Sequence, residues 1–349
     1  MLDFTNCNIG NVIAHQIGNK TNKEGIIISN LLLDTNDPRL RELLIKYFLF
    51  PFSNMEEFYS FTFSDGNFNL NPLYQLTSDV FSNEGNFIEI SKSIAQHLYE
   101  VSLHPQIKAG DLFVSTFNNI KVDNILVNGF GVFKSENRQQ FLKLNKKSNE
   151  FALNYDDGIN IEKLDKGCLI LNIGKEKGYK VYVIDKSNKS SEAQYWKYFF
   201  LNIQPTKTGY HLTNQFLGIA KQFVTEQLTE EFEVNKTDQI DLLNRSVDYF
   251  KTNDKFEKKE FEKSVFQTEE LIESFRSFDN SYRDSNEIEL SESFDISSQA
   301  VKKQVRAFKK VLKLDKNFHI YIHGNKELIE QGVEKDGRKY YKIYYSDES

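Results

Sequence analysis

Between Gly110 and Lys186 the apolar side chains recur at every second position, and that period narrows the fold more than any other stretch. A two-residue repeat puts successive side chains on opposite faces, which a strand can use and a helix cannot. Asp111–Phe117, Asn124–Lys134, Glu150–Asn154, Cys168–Ile173 and Lys180–Asp185 therefore read as successive strands. The dipeptides Asp157-Gly158, Lys166-Gly167 and Lys177-Gly178 supply the turn chemistry of tight antiparallel connections. Such a sheet has an apolar face to cover, so helices are expected on it.

The flanks provide them. Val12 to Ile17 and Gly25 to Leu33 form a predicted hairpin around Gly18–Asn22, and Asp37-Pro38 starts a helix carrying Leu40, Leu43, Leu44, Tyr47 and Phe48. Pro51 stops it. A second helix starts near Pro72, and a third runs from about Phe87 to Leu103 on the stripe Ile90, Ile94, Leu98 and Val101. Further on, Leu212, Phe216, Ile219 and Phe223 mark one helix, and Ile240, Leu243, Val247 and Phe250 a second. Phe261, Val265, Thr268, Ile272 and Phe275 mark a third. The acidic stretch Glu226 to Asp241 reads as a solvated connection between the first two. At 349 residues the chain exceeds one ordinary core. The expected partition is an α+β domain over 1–205, a helical block over 206–276, a Ser/Asp/Asn/Glu-rich linker or loop over 277–293, and a basic helix with a β-hairpin over 294–349. The fold class is thus α+β: a largely antiparallel sheet with helices, a central helical block and a small C-terminal helix-plus-hairpin unit.

Residues that could carry chemistry are sparse. His319 and His323 show a metal-like spacing, but on a strand they would stand about 13 Å apart, too far for one ion. His15, His97, His104 and His211 lack a second ligand at matching spacing. Cys7 and Cys168, the two cysteines, suit a reducing cytoplasm, and Cys168 reads as a core thiol. Gly129-Phe130-Gly131 and Gly174–Gly178 lack the glycine and Lys-Ser/Thr pattern of phosphate loops, and Asp156-Asp157 beside Gly158 reads as turn chemistry. No catalytic residue, cofactor or metal is assigned. A nuclease-type site assembled in three dimensions is the remaining enzymatic reading, with Asp156 and Asp157 as its test positions.

The charge distribution is more specific. The chain carries −6 overall, yet residues 294–349 hold 12 Lys/Arg against 8 Asp/Glu, which leaves −10 on the rest. If residues 297–316 wind as one helix, Lys302, Lys303, Arg306, Lys309, Lys310, Lys313 and Lys316 fall within an arc of roughly 140°. Val301, Val305, Phe308, Val311 and Leu312 take another face. Positive charge gathered on an acidic molecule is the electrostatic footprint of a polyanion site. Lysine outnumbers arginine 36 to 8, a bias that an AT-rich genome produces. Because bidentate reading of guanine prefers Arg, binding to double-stranded DNA is expected to rest on the phosphate backbone. The seven cations are the candidate contacts, with Lys302, Arg306, Lys309 and Lys313 central.

The pattern Glu192-Ala193-Gln194-Tyr195-Trp196-Lys197-Tyr198-Phe199-Phe200-Leu201, followed by Tyr210-His211-Leu212-Thr213, resembles the central signature of the bacterial nucleoid-associated family NdpA/YejK. Ile13-Ala14-His15-Gln16 with Ile28–Leu32, and Phe294–Ser297 with Phe318–Gly324, are similar to that family's opening and ending. The resemblance implies a cytoplasmic, nucleoid-located protein that binds DNA without catalysis. It carries no catalytic or base-reading residues across. The alternative expectation is an interaction component of a DNA-processing or phage-defence assembly, its polar helix face meeting an acidic protein. The broad stripes of the helices at 212–276 are the surface expected for a homodimer. No apolar run nears the roughly 18–20 residues that cross a bilayer, and the first residues lack a secretory signal, so no membrane partner is expected.

Overall fold

Asp37 accepts hydrogen bonds from the backbone N–H groups of Arg39 and Leu40, and Pro38 fills the first turn, so helix α1 (Pro38–Leu49) begins where the sequence predicts. Asn71 and Asn86 cap α2 (Pro72–Ser82) and α3 (Phe87–Val101) in the same way. The computed structural model describes residues 2–83, 86–147, 150–186, 195–305, 308, 311–314, 316–322 and 328–347. The chain divides into two compact units, Met1–Thr206 and Lys207–Ser349, and its class is α+β.

The first unit is built on a sheet whose strands are β1 (Leu2–Asp3), β2 (Asn8–Ile17), β3 (Ile26–Ile27), β4 (Tyr59–Phe61), β5 (Gly110–Val122), β6 (Ile125–Ser135), β9 (Lys166–Leu171), β10 (Lys180–Asp185) and β11 (Ile203–Pro205). They run in the order β11-β4-β10-β9-β6-β5-β2-β3, with β1 also on β5, and every pairing is antiparallel. A separate ribbon pairs β7 (Arg138–Lys147) with β8 (Glu150–Ile159).

Alternation along the central strands feeds two cores. Cys168 and Ile170 of β9 join Phe130 and Val132 of β6 in a cluster covered by α2, α3 and the π-helical segment Tyr195–Leu201. Leu169 and Leu171 point the other way, into a cluster with Phe133, Phe117 and Phe48 of α1. Gly131 is a packing residue of this sheet, because a Cβ there would lie 2.3 Å from the Phe133 ring. No phosphate loop forms at Gly129–Gly131.

Two of the three turn dipeptides are corrected. Asp157-Gly158 lies inside β8 opposite Gln140 and Gln139, and Lys166-Gly167 opens β9 opposite Asp185 and Ile184. Lys177-Gly178 does turn, with Gly178 at φ +84°. Strand β7 was not expected, since its sequence RQQFLKLNKK carries too few apolar residues to show a period. Of Gly25–Leu33, only Ile26–Ile27 pairs with β2.

His15 joins α3 to the sheet through neutral-imidazole hydrogen bonds. The Ser29 N–H donates to Nδ1 at 3.1 Å, leaving the proton on Nε2, which lies 3.1 Å from Ser91 Oγ. The Ser91 hydroxyl in turn donates to the Ile88 carbonyl. Burial, with Lys92 nearby, pushes the imidazole down to about 4. The unfolded chain, titrating near 6.5, therefore takes up this proton first as the pH falls. Stability is complete above about pH 6.5 and declines toward pH 4. At pH 5 the protein is expected to lose about 2 kcal/mol that a His15→Gln variant does not lose. Denaturant titrations of both proteins at pH 7 and 5 measure the difference, and equal losses would refute this role for the imidazole.

The second unit is helical with short ribbons. Helix α4 (Gly209–Gln222) continues through a π-helical turn to Glu231. A capping box of Asn235 and Asp238 starts α5 (Lys236–Thr252), so the expected acidic connection from Glu226 to Asp241 is mostly helix. Helices α6 (Lys258–Val265) and α7 (Glu269–Ser285) replace the single expected helix. The break falls at Gln267, which adopts a left-handed φ of +65°. The linker expected over 277–293 is likewise corrected, since α7 runs to Ser285 and β13 (Ser293–Asp295) pairs with β12 (Lys255–Glu257). Phe216, Phe223, Val247, Phe250, Phe261 and Phe275 are all buried in one core. The stripes on which a homodimer was expected are consumed within the unit.

Candidate nucleic-acid interface

Helix α8 (Ser298–Val305) is held on α4 by its own polar contacts. Thr213 Oγ1 accepts the Ser297 N–H at 3.1 Å, and Gln304 Nε2 donates to Asn214 Oδ1 at 3.0 Å. Ala300 and Val301 are buried beneath it, as is Phe308. That orientation leaves Lys302 and Lys303 exposed on the outer side, with the Lys303 ammonium 5.6 Å from the centre of the Tyr210 ring.

The expected continuous helix to Lys316 does not form. After α8 the next described elements are β14 (Val311–Leu314) and β15 (Phe318–Tyr321), paired antiparallel. Leu312, Lys313 and Leu314 alternate as a strand requires, and the match of Val305, Phe308, Val311 and Leu312 to a helical period is coincidental. Leu312 packs with Ile240 of α5 and with Ile322. Lys313 pairs with His319 on the opposite face of the ribbon, next to Val311 and Tyr321. Lys316 is exposed in the turn between the strands. Arg306, Lys309 and Lys310 lie outside the described residues. The single 140° arc is therefore replaced by two sets of cations, one on a helix and one on a ribbon.

Among the described residues, Lys302, Lys313 and Lys316 form no ion pair. Cations left unpaired on an acidic protein keep their charge available to a polyanion. Sequence reasoning missed the neighbours His319, Tyr321 and Tyr210. Each adds a ring beside a lysine, an arrangement that suits a sugar-phosphate backbone and its bases. The strand register of Lys313 with His319 could have been read from the alternation in 311–314 and 318–321.

A second group of cations is structural. Lys134 of β6 and Lys166 of β9 stand opposite each other in the sheet and are both buried. Lys134 Nζ donates to Glu136 Oε1 at 2.9 Å and to Tyr195 Oη at 3.2 Å, while Lys166 Nζ donates to Asp185 Oδ1 at 2.7 Å. Burial lowers the Lys134 ammonium from its ordinary value, and Glu136 opposes that shift. Asp156 and Asp157 fall on opposite faces of the β7–β8 ribbon and cannot share a cation. Among the described residues no group of three or more His, Cys, Asp or Glu side chains could hold a metal ion, and no helix is long and apolar enough to cross a membrane.

A family model described as nucleoid-associated protein YejK matches residues 13–338. No curated protein matches the chain.

Proposed function

The chain belongs to the family of nucleoid-associated protein YejK, and from that premise we propose that it binds double-stranded DNA at the nucleoid through phosphate contacts, without catalysing a reaction on it. The observation that supports this reading is the exposure of Lys302, Lys303, Lys313 and Lys316 within residues 294–349, where 12 Lys/Arg stand against 8 Asp/Glu. Arg306, Lys309 and Lys310 complete the candidate set. Lysine serves phosphate as a point charge, so affinity follows the backbone and varies little with sequence.

Salt dependence tests it. Four neutralised phosphates give a log K against log salt slope of about −3.6. Changing Lys302, Arg306, Lys309 and Lys313 to Ala is expected to weaken binding equally on unrelated duplexes and to flatten that slope toward zero. Mobility shifts across a salt series measure both quantities. An unchanged slope removes this segment from the mechanism, and a loss confined to one duplex contradicts backbone reading. Protein that ignores DNA at low salt would favour an acidic protein partner instead.

A further inference from the structure

We propose that the two ribbons of the second unit's last segment form a stacking platform for the unpaired bases of single-stranded DNA. One is β14–β15, and the other pairs β16 (Ile329–Val333) with β17 (Lys339–Ile343). Alternation sorts their side chains onto two faces. Leu312, Leu314 and Ile320 of the first ribbon, with Ile329 and Tyr341 of the second, face inward and pack in one small core with Ile240 and Ile322. The outer faces carry rings beside cations. They are Lys313, His319 and Tyr321 on the first ribbon, and Tyr340, Lys342 and Tyr344 on the second.

The second ribbon holds its rings in fixed positions. Gly332 stands opposite Tyr340, and a Cβ there would clash with Cζ and Oη of that ring. The glycine therefore leaves room for the Tyr340 ring to lie across the ribbon, with 39% of the residue exposed. Tyr344 is exposed to the same extent. Its hydroxyl donates to Glu330 Oε1 at 2.6 Å and accepts from Lys342 Nζ at 2.6 Å, and that ammonium lies 4.6 Å from the centre of its ring. Rings held in this way have little rotamer freedom left to lose on binding. They stand four residues apart on one strand face, roughly 13 Å, so each takes a separate base.

The occupant follows from the chemistry of the rings. A tyrosine face gains from a nucleic acid only where a base offers its own face, and in a duplex those faces are covered by neighbouring bases. Lys313 and Lys342 lie among the rings to meet the phosphates between the bases. The carboxylates on the outer face of the second ribbon are themselves engaged or opposed. Glu330 is held by Tyr344 and Lys342, and Glu334 stands opposite Arg338. The inference rests on the DNA reading and extends it, since phosphate contacts to a duplex need lysines but no ring.

Fluorescence anisotropy of the full chain with a labelled oligothymidine, and with a duplex of the same length, tests it. The wild type is expected to bind both. Tyr340→Ala and Tyr344→Ala should each weaken the single strand about 10-fold and together about 100-fold, with duplex affinity and circular dichroism unchanged. Tyr340→Phe keeps the ring and should keep the affinity. A second readout needs no substitution: an oligonucleotide carrying 5-iodouracil should crosslink on irradiation to a peptide of the wild type that holds Tyr340 or Tyr344. Equal losses on duplex and single strand, no loss in the double variant, or crosslinks only outside the two ribbons would overturn the proposal and leave the duplex reading standing. So would a wild type that binds duplex alone. A wild type that binds neither removes both readings.

Discussion

Replacing Asp279 with Ala is expected to destabilise the second unit by about 3–5 kcal/mol. This carboxylate is fully buried in α7 and has two cations on it. Arg283 Nε donates to Oδ1 at 2.6 Å, and the Lys258 ammonium lies 2.9 Å from Oδ2. Lys258 opens α6, while Arg283 Nη1 also donates to the Leu290 carbonyl at 3.0 Å. One side chain therefore joins two helices and the segment leading to β13. Removing it leaves two cations in a site with little water, with Glu292 at 3.6 Å from the Lys258 ammonium as the remaining counter-charge, which is why the cost exceeds that of a surface pair. Denaturant titration of the full chain, followed by circular dichroism, gives the number. Replacing the group together, as Lys258→Met, Asp279→Leu and Arg283→Met, should recover most of the stability, because no charge is then left stranded. A single Ala variant within 1 kcal/mol of wild type, on the order of a surface pair, would show that the pairs contribute little.

Trp196→Ala is expected to cost the first unit about 3–5 kcal/mol. The indole is fully buried and packs 4.8 Å from the Phe200 ring within the core that also holds α2 and α3. His97 Nε2 lies 3.1 Å from the Phe200 carbonyl, so the π-helical segment is tied to α3 beside the ring. Truncation opens a cavity that the sheet on one side and α3 on the other cannot close. Trp196→Phe keeps most of the volume and should cost clearly less. As the chain has one tryptophan, its emission reports the first unit alone, while circular dichroism follows both. In the Trp196→Phe and Trp196→Ala proteins the first unit is read by circular dichroism, and a loss equal in both would refute the cavity argument.

Elements announced by local chemistry were legible in the sequence. Asp37-Pro38, the apolar stripe from Ile90 to Val101 and the alternation from Cys168 to Leu171 state their structure within a few residues. What failed was polar sequence stabilised by distant partners. Residues 277–285 read as a linker because the ion partners of Asp279 include Lys258, some twenty positions away. Strand β7 was hidden for a related reason, since it pairs with β8 alone and its own apolar residues Phe141, Leu142 and Leu144 are all exposed. The candidate interface was half legible. Its charge excess is a property of composition and was visible, but its geometry was not, because lysine suits a helix face and a ribbon equally well and only the alternation of 311–314 separates them.

The order of strands in the large sheet has a consequence during synthesis. Strand β2 pairs with β5, and β4 sits between β10 and β11, so each early strand emerges from the ribosome about a hundred residues before its neighbour. At roughly 5–20 residues per second, Val12, Ile13, Tyr59 and Phe61 spend several seconds to some tens of seconds with nothing to pair against. A nascent chain of this protein is thus most vulnerable to clumping with its polysome neighbours before residue 205 has appeared, and chaperone protection in that interval would matter more than the final stability of the fold.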